Sequence, residues 1–108
     1  MEQARLAIFI SGSGSNAEAI FQHFQTHPSI KVEMVLSNNA DAFGLERAKK
    51  FSIPSKVFTR QQFRESEEVL QWLKEAKITH IVLAGFLWLI PSYLIKACFR
   101  MSFERISR

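Results

Sequence analysis

An α/β fold with a parallel sheet is the architecture this sequence predicts. Three observations carry it. Short apolar runs alternate with stretches of helical period, a glycine-rich turn follows the first run, and prolines fall at the joints between segments.

The first strand is Leu6-Ala7-Ile8-Phe9-Ile10, continuously apolar and closed by Ser11-Gly12-Ser13-Gly14-Ser15. A run without polar alternation reads as a strand buried on both faces. Ala17, Ile20, Phe21 and Phe24 then recur at helical spacing on one face. His27-Pro28 ends that helix, because proline disfavours helix in the residue before it. Ile30 to Ser37 is the second strand, with Val32, Met34 and Leu36 assigned to one side and Val35 to the other. Asn38-Asn39-Ala40-Asp41 reads as a turn and cap, with Ala42, Leu45 and Ala48 the buried face of a second helix. Ile53-Pro54 breaks it, and Val57-Phe58 is a short third strand. Ser66 to Lys77 is a third helix on Val69, Leu73 and Ala76, and Thr79 to Gly85 a fourth strand on Ile81-Val82-Leu83-Ala84. After Pro91 the pattern fades. Ser92 to Phe99 fits a last helix, and Met101 to Arg108 follows neither period.

Right-handed crossovers would wind such a chain into a Rossmann-like sheet of about four strands in order 3-2-1-4, with helices on both faces. The fourth strand is then expected to lie unpaired along one edge, which invites self-association and poor solubility.

Composition bounds the function. The chain has 108 residues, of which 47% are hydrophobic, enough for a single core. Its longest apolar run, Ile81 to Ile90, is ten residues, short of the roughly 18 needed to span a bilayer, so no membrane partner is expected. Met1 to Arg5 leads straight into the first strand, so no secretory leader is expected. The single cysteine, Cys98, excludes an internal disulfide and points to a reducing, cytoplasmic setting. Net charge is +4, but Arg100, Arg105 and Arg108 against Glu104 place +2 of it in the last nine residues. The remainder is too dispersed to track a nucleic-acid backbone.

Three segments bear on chemistry. In open parallel sheets ligands bind beyond the carboxyl ends of the strands, where Ser11 to Asn16 falls. Its glycines let the backbone approach an anion, and the helix start offers N–H groups, so amides of Gly14, Ser15 and Asn16 suit a phosphate. The plainer alternative is a tight turn with Ser15 or Asn16 as cap. Neither the Walker nor the dinucleotide glycine pattern is present. In the second segment, 37–48, Asp41 reads as a helix cap, and Asn38 is placed to face the same crevice. In the third, Leu87-Trp88-Leu89-Ile90 continues the apolar run past the strand end. It is either core filling or an apolar wall for a flat heterocycle, and pattern alone leaves both open. His23 and His27 have metal-compatible spacing without a third ligand, so no metal is expected. His80 heads the fourth strand, away from the glycine loop. Cys98 reads as a small apolar residue.

Together, Ser-Gly-Ser-Gly-Ser-Asn at 11–16, Ser-Asn-x-Ala-Asp-Ala-Phe-Gly-Leu-Glu-Arg-Ala at 37–48 and Val-Leu-Ala-Gly-Phe-Leu-Trp-Leu-Ile-Pro at 82–91 resemble the phosphoribosylglycinamide formyltransferases. The resemblance runs from residue 5 to about 97. It divides the chain into 1–97, an N-terminal formyltransferase half, and 98–108, an unmatched tail. It implies formyl transfer from 10-formyltetrahydrofolate to the amine of 5′-phosphoribosylglycinamide in purine synthesis. It implies that Gly14, Ser15 and Asn16 hold the substrate phosphate and that the backbone of Leu87, Trp88, Leu89 and Ile90 holds the pterin. An arginine near the folate corresponds to Arg60 or Arg64. The family's Asn-x-His-Pro and later aspartate, which stabilise the oxyanion and support proton transfer, have no counterpart: no Asn follows Asn39, no His follows His80, no Asp follows Asp41. No catalytic residue is therefore assigned. The expectation is a truncated or frame-disrupted copy, inactive alone and at most binding a phosphorylated ribose.

Overall fold

The computed structural model describes residues 4–97 in full and the backbone of 102–106. Cys98 and the remainder of the tail lie outside the described residues. Ten elements follow in order: β1 (Ala4–Ile10), α1 (Ser15–Phe24), β2 (Ile30–Ser37), α2 (Phe43–Lys50), β3 (Ser55–Val57), α3 (Arg60–Arg64), α4 (Glu68–Glu75), β4 (His80–Ala84), α5 (Ser92–Ala97) and β5 (Ser102–Ile106). The sheet has the order β3-β2-β1-β4-β5, and each pairing is parallel. The expected order 3-2-1-4 stands, with a fifth strand added.

That addition corrects one expectation. β4 is not an edge strand: β5 pairs along it from His80↔Ser102 to Ala84↔Ile106. A buried parallel strand has ladder groups to satisfy on both sides, and β5 supplies the second set. The tail forms this strand although its sequence alternates poorly.

The unbroken apolar run of β1 divides by parity. Leu6, Ile8 and Ile10 face a core with Ala17 and Phe21 of α1 and Ala48 of α2. Ala7 and Phe9 face the other core, with Phe63 of α3, Val69, Leu70 and Leu73 of α4, and Leu94 of α5. Helices therefore cover both faces, as a continuously hydrophobic strand requires. β2 departs from its expected alternation. Val32 joins Val35 on the α1 side, while Met34 and Leu36 face the α4 side. The cause is a bulge: Leu6 pairs with Val32 but Ala7 with Met34, leaving Glu33 as an extra residue. Glu33 pairs instead with the Arg5 guanidinium.

The short α3 was not expected from periodicity. Its start is fixed by a capping box, in which Thr59 Oγ1 accepts from the Gln62 amide and the Gln62 side chain accepts from the Thr59 amide. Phe63, fully buried, is its anchor. Phe63 stacks on Phe58 at 4.7 Å, and Phe9 and Phe86 complete an aromatic floor beneath the ends of β1 and β4.

Candidate functional site

The crevice opens where β1 and β4, neighbours in the sheet, lead their chains out to opposite sides. This is the switch point at which doubly wound sheets bind ligands. Three loops meet there, and Ser11 joins them. Its hydroxyl donates to Asn38 Oδ1 at 2.8 Å and accepts from the Leu87 amide at 2.9 Å. Its carbonyl lies 3.5 Å from Asn39 Nδ2. The buried hydroxyl thus ties the loop after β1 to the loops after β2 and β4.

The glycine loop turns into α1 through Gly14, whose φ of 73° is left-handed. Only glycine takes this conformation without strain. Gly14 is the N-cap, so neither Ser15 nor Asn16 occupies the cap position. Ser15 begins the helix and is exposed; Asn16 is half-buried. The first-turn amides of α1 therefore open at the strand ends, the geometry that suits an anion.

The start of α2 packs directly on this loop. A Cβ on Gly44 would sit 2.3 Å from Ile10 Cδ1 and 3.0 Å from Gly14 Cα. The missing side chain lets the Gly44 amide reach the Gly12 carbonyl at 3.0 Å. One turn on, Arg47 Nε donates to the Ser13 carbonyl at 2.6 Å, and its guanidinium pairs with Glu18 of α1. Lys50 joins the same carboxylate at 3.2 Å. The Lys50 contact is the chief cause holding Glu18 below the ordinary carboxylate range; Arg47 adds to it, and desolvation works in the opposite direction. Asp41 does not cap α2. The N-cap is Ala42, and the turn is made by Asn39 Oδ1 accepting from the Asp41 amide.

The apolar residues after β4 divide by exposure. Gly85 turns the chain at φ 71° and Phe86 enters the aromatic floor. Leu87 and Leu89 are 80% and 75% exposed. Trp88 and Ile90 pack half-buried against the core. Both candidate arginines come to this segment. The Arg60 guanidinium lies 4.9 Å over the Trp88 ring, and Arg64 donates to the Leu89 carbonyl at 3.3 Å. Tyr93 Oη, shared between the carbonyls of Phe63 and Ser66, fastens α5 to the same corner.

Sequence reasoning missed Ser11, Gly44 and Arg47. Gly44 and Arg47 lie within the 37–48 motif, and Ser11 opens the glycine loop, but nothing local in either segment singles them out. His23 and His27 are exposed, and among the described residues no cluster has the make-up of a metal site. His80 lies at the opposite end of the sheet, paired with Leu6 and beside Thr79 Oγ1. A hollow of about 350 Å³ lined by Phe21, Lys31, Glu33, Phe51 and Ile53 also lies at that end. Glu33 there is already paired with Arg5 and Lys31. Among the described residues no helix is long and apolar enough to cross a membrane.

Comparison with known proteins bears on the family and the fold. Residues 4–102 match the model of the family described as formyl transferase. Phosphoribosylglycinamide formyltransferase of Haemophilus influenzae is 38% identical over 89 residues, covering 77% of this chain and 42% of that protein. The enzyme of that name from Dictyostelium discoideum is 32% identical, covering 84% and 50%. The crystal structure of glycinamide ribonucleotide transformylase 1 from Geobacillus kaustophilus superposes with a TM-score of 0.83 at 30% identity, covering 93% of this chain and 56% of that one. That of phosphoribosylglycinamide formyltransferase from Anaplasma phagocytophilum gives 0.81 at 34%, covering 89% and 46%. This chain spans about half the length of these relatives.

Proposed function

This chain belongs to the formyl transferase family, and from that premise we propose that it forms the phosphate-binding and folate-facing half of a phosphoribosylglycinamide formyltransferase site. Gly14, Ser15 and Asn16 receive the 5′-phosphate of phosphoribosylglycinamide on backbone amides. Leu87 to Ile90 present their backbone and apolar wall to the pterin of 10-formyltetrahydrofolate, a co-substrate. The observation that carries this reading is the Ser11 hydroxyl. By bonding both Asn38 and the Leu87 amide, it holds the anion loop and the apolar wall side by side at one strand end.

The transfer itself needs donors aimed at the oxyanion that forms when the substrate amine attacks the formyl carbon. Within the 108 residues no Asn follows Asn39, no His follows His80 and no Asp follows Asp41. His23, His27 and His80 stand away from the strand ends that carry the site. The 108-residue polypeptide by itself therefore binds weakly and does not turn over, since each missing oxyanion donor costs about 10²-fold or more. The formyltransferase half is assigned to 1–97. A cytoplasmic setting fits the single cysteine, and any edge-to-edge self-association passes from β4 to β5.

Two assays on the 108-residue chain test this reading. Formyl transfer from 10-formyltetrahydrofolate is expected to stay at the uncatalysed rate, and clear turnover would overturn the assignment of no catalytic residue. Equilibrium dialysis with ribose 5-phosphate is expected to show saturable binding that phosphate competes. No saturable binding would remove the phosphate reading of the glycine loop.

A further inference from the structure

Residues 37–48 run from the end of β2 into α2, and several of their contacts converge on one target. Ser11, Gly12 and Ser13 are successive residues whose carbonyls accept from that segment. Asn39 Nδ2 reaches the Ser11 carbonyl, the Gly44 amide the Gly12 carbonyl and Arg47 Nε the Ser13 carbonyl. In a trans peptide the C=O and the N–H of the next residue point in opposite directions. Holding the Ser11 carbonyl to Asn39 and the Gly12 and Ser13 carbonyls to α2 therefore turns the amides of Gly12, Ser13 and Gly14 away from those partners. Of the three amides proposed for the phosphate, that of Gly14 is set in this way, and Gly14 leads directly into the first turn of α1 that carries the other two.

We infer that residues 37–48 are a template that sets the peptide planes of the anion loop, with Arg47 as the positioning residue that clamps the loop to α1. This rests on the phosphate reading of that loop. The guanidinium suits the task because it meets the Ser13 carbonyl and the Glu18 carboxylate at once. A planar fork can serve both, whereas a lysine ammonium is a point donor on a flexible stem. Phe43 lies 4.9 Å beneath the guanidinium and fixes its plane, and Lys50 holds the other Glu18 oxygen. Arg47 thus acts through the loop and not on the phosphate. Gly44 gives the template its close approach, since a side chain there would displace the loop.

The test compares the 108-residue chain with its Arg47→Met and Arg47→Lys variants. Two readouts are taken: ¹⁵N order parameters of residues 12–16 without ligand, and ribose 5-phosphate affinity by calorimetry. In both variants the order parameters are expected to fall from about 0.85 towards 0.6. Affinity is expected to weaken about tenfold, as it does when a tenth of the population holds the competent loop. Full recovery of binding by Arg47→Lys with an ordered loop would mean that Arg47 supplies charge alone, and would overturn the inference. Unchanged order and affinity in both variants would overturn it too. If the parent chain binds no ribose 5-phosphate yet Arg47→Met loosens the loop, the template stands and the phosphate reading falls. If Arg47→Met fails to fold, Arg47→Lys decides by the same two readouts.

Discussion

Replacing Gly14 by alanine tests the packing on which the site depends, and its cost follows from two separate terms. The residue sits at φ 73°, so a side chain meets the left-handed penalty of about 1–2 kcal/mol. The added Cβ would also lie 2.5 Å from Gly44 Cα. That neighbour is backbone and cannot rotate away, so α1 and α2 must separate, at an overpacking cost of about 1–3 kcal/mol. Together Gly14→Ala loses about 2–5 kcal/mol, a large share of the roughly 5–15 kcal/mol that stabilises an ordinary domain. Gly12→Ala is the matched control: nothing lies within 4 Å of its added Cβ, and its φ is not positive. It is expected to stay within about 0.5 kcal/mol of the parent. Urea unfolding of all three proteins reads the difference as a shift in midpoint at constant slope. Equal midpoints for Gly14→Ala and Gly12→Ala would refute the argument that α2 touches the loop through Gly44.

Thr59→Ala removes the capping box of α3 and is expected to cost about 1 kcal/mol in urea unfolding, with Asn at the same position restoring much of it; an unchanged midpoint would show that the cap does not hold α3. Phe63→Ala takes a fully buried ring out of the aromatic floor at a cost of about 3–5 kcal/mol. Trp88 packs against Phe63, so its fluorescence should shift to the red, and an unmoved spectrum would contradict that contact. Glu18 is held below its ordinary carboxylate range, first by the Lys50 hydrogen bond and then by Arg47. Because the folded-state pKa is the depressed one, the stabilisation is present above the ordinary range and is lost as pH falls through the folded value. Glu18→Gln should therefore flatten the acid limb of the stability profile and leave its neutral region unchanged in slope; an identical acid limb would contradict the pairing.

Much of the architecture is legible in the residues because both faces of a parallel sheet must be apolar. Ile30 to Ser37 reads as a strand over its full extent, the alternation of segments reads as a parallel sheet, and the order 3-2-1-4 is that of the Rossmann-like winding. What escapes has local causes. The bulge at Glu33 inverts the parity of β2, and no single-strand pattern reveals an unpaired residue whose partner is Arg5. α3 is too short for a helical period and is specified by a cap and one phenylalanine. β5 lies in a stretch with no clear alternation and is placed by pairing with β4. At the site, Gly14, Ser15 and Asn16 stand out because glycine has conformational consequences within its own loop. Gly44 and Arg47 do not, because their partners lie about thirty residues earlier and one contact depends on an absent side chain. The Leu87 to Ile90 run shows how far pattern goes. Its apolarity is plain, yet only the fold separates the exposed Leu87 and Leu89 from the half-buried Trp88 and Ile90.

The measurement that bears most directly on the central claim is an amide-resolved NMR titration of the ¹⁵N-labelled chain with 5′-phosphoribosylglycinamide. The account predicts that the largest shifts fall on Gly14, Ser15 and Asn16, with Leu87 moving through its bond to Ser11. The amides of Phe51, Ser52 and Ile53, lining the hollow at the far end of the sheet, should stay still. Shifts confined to that hollow, with the glycine loop unmoved at saturation, would contradict it.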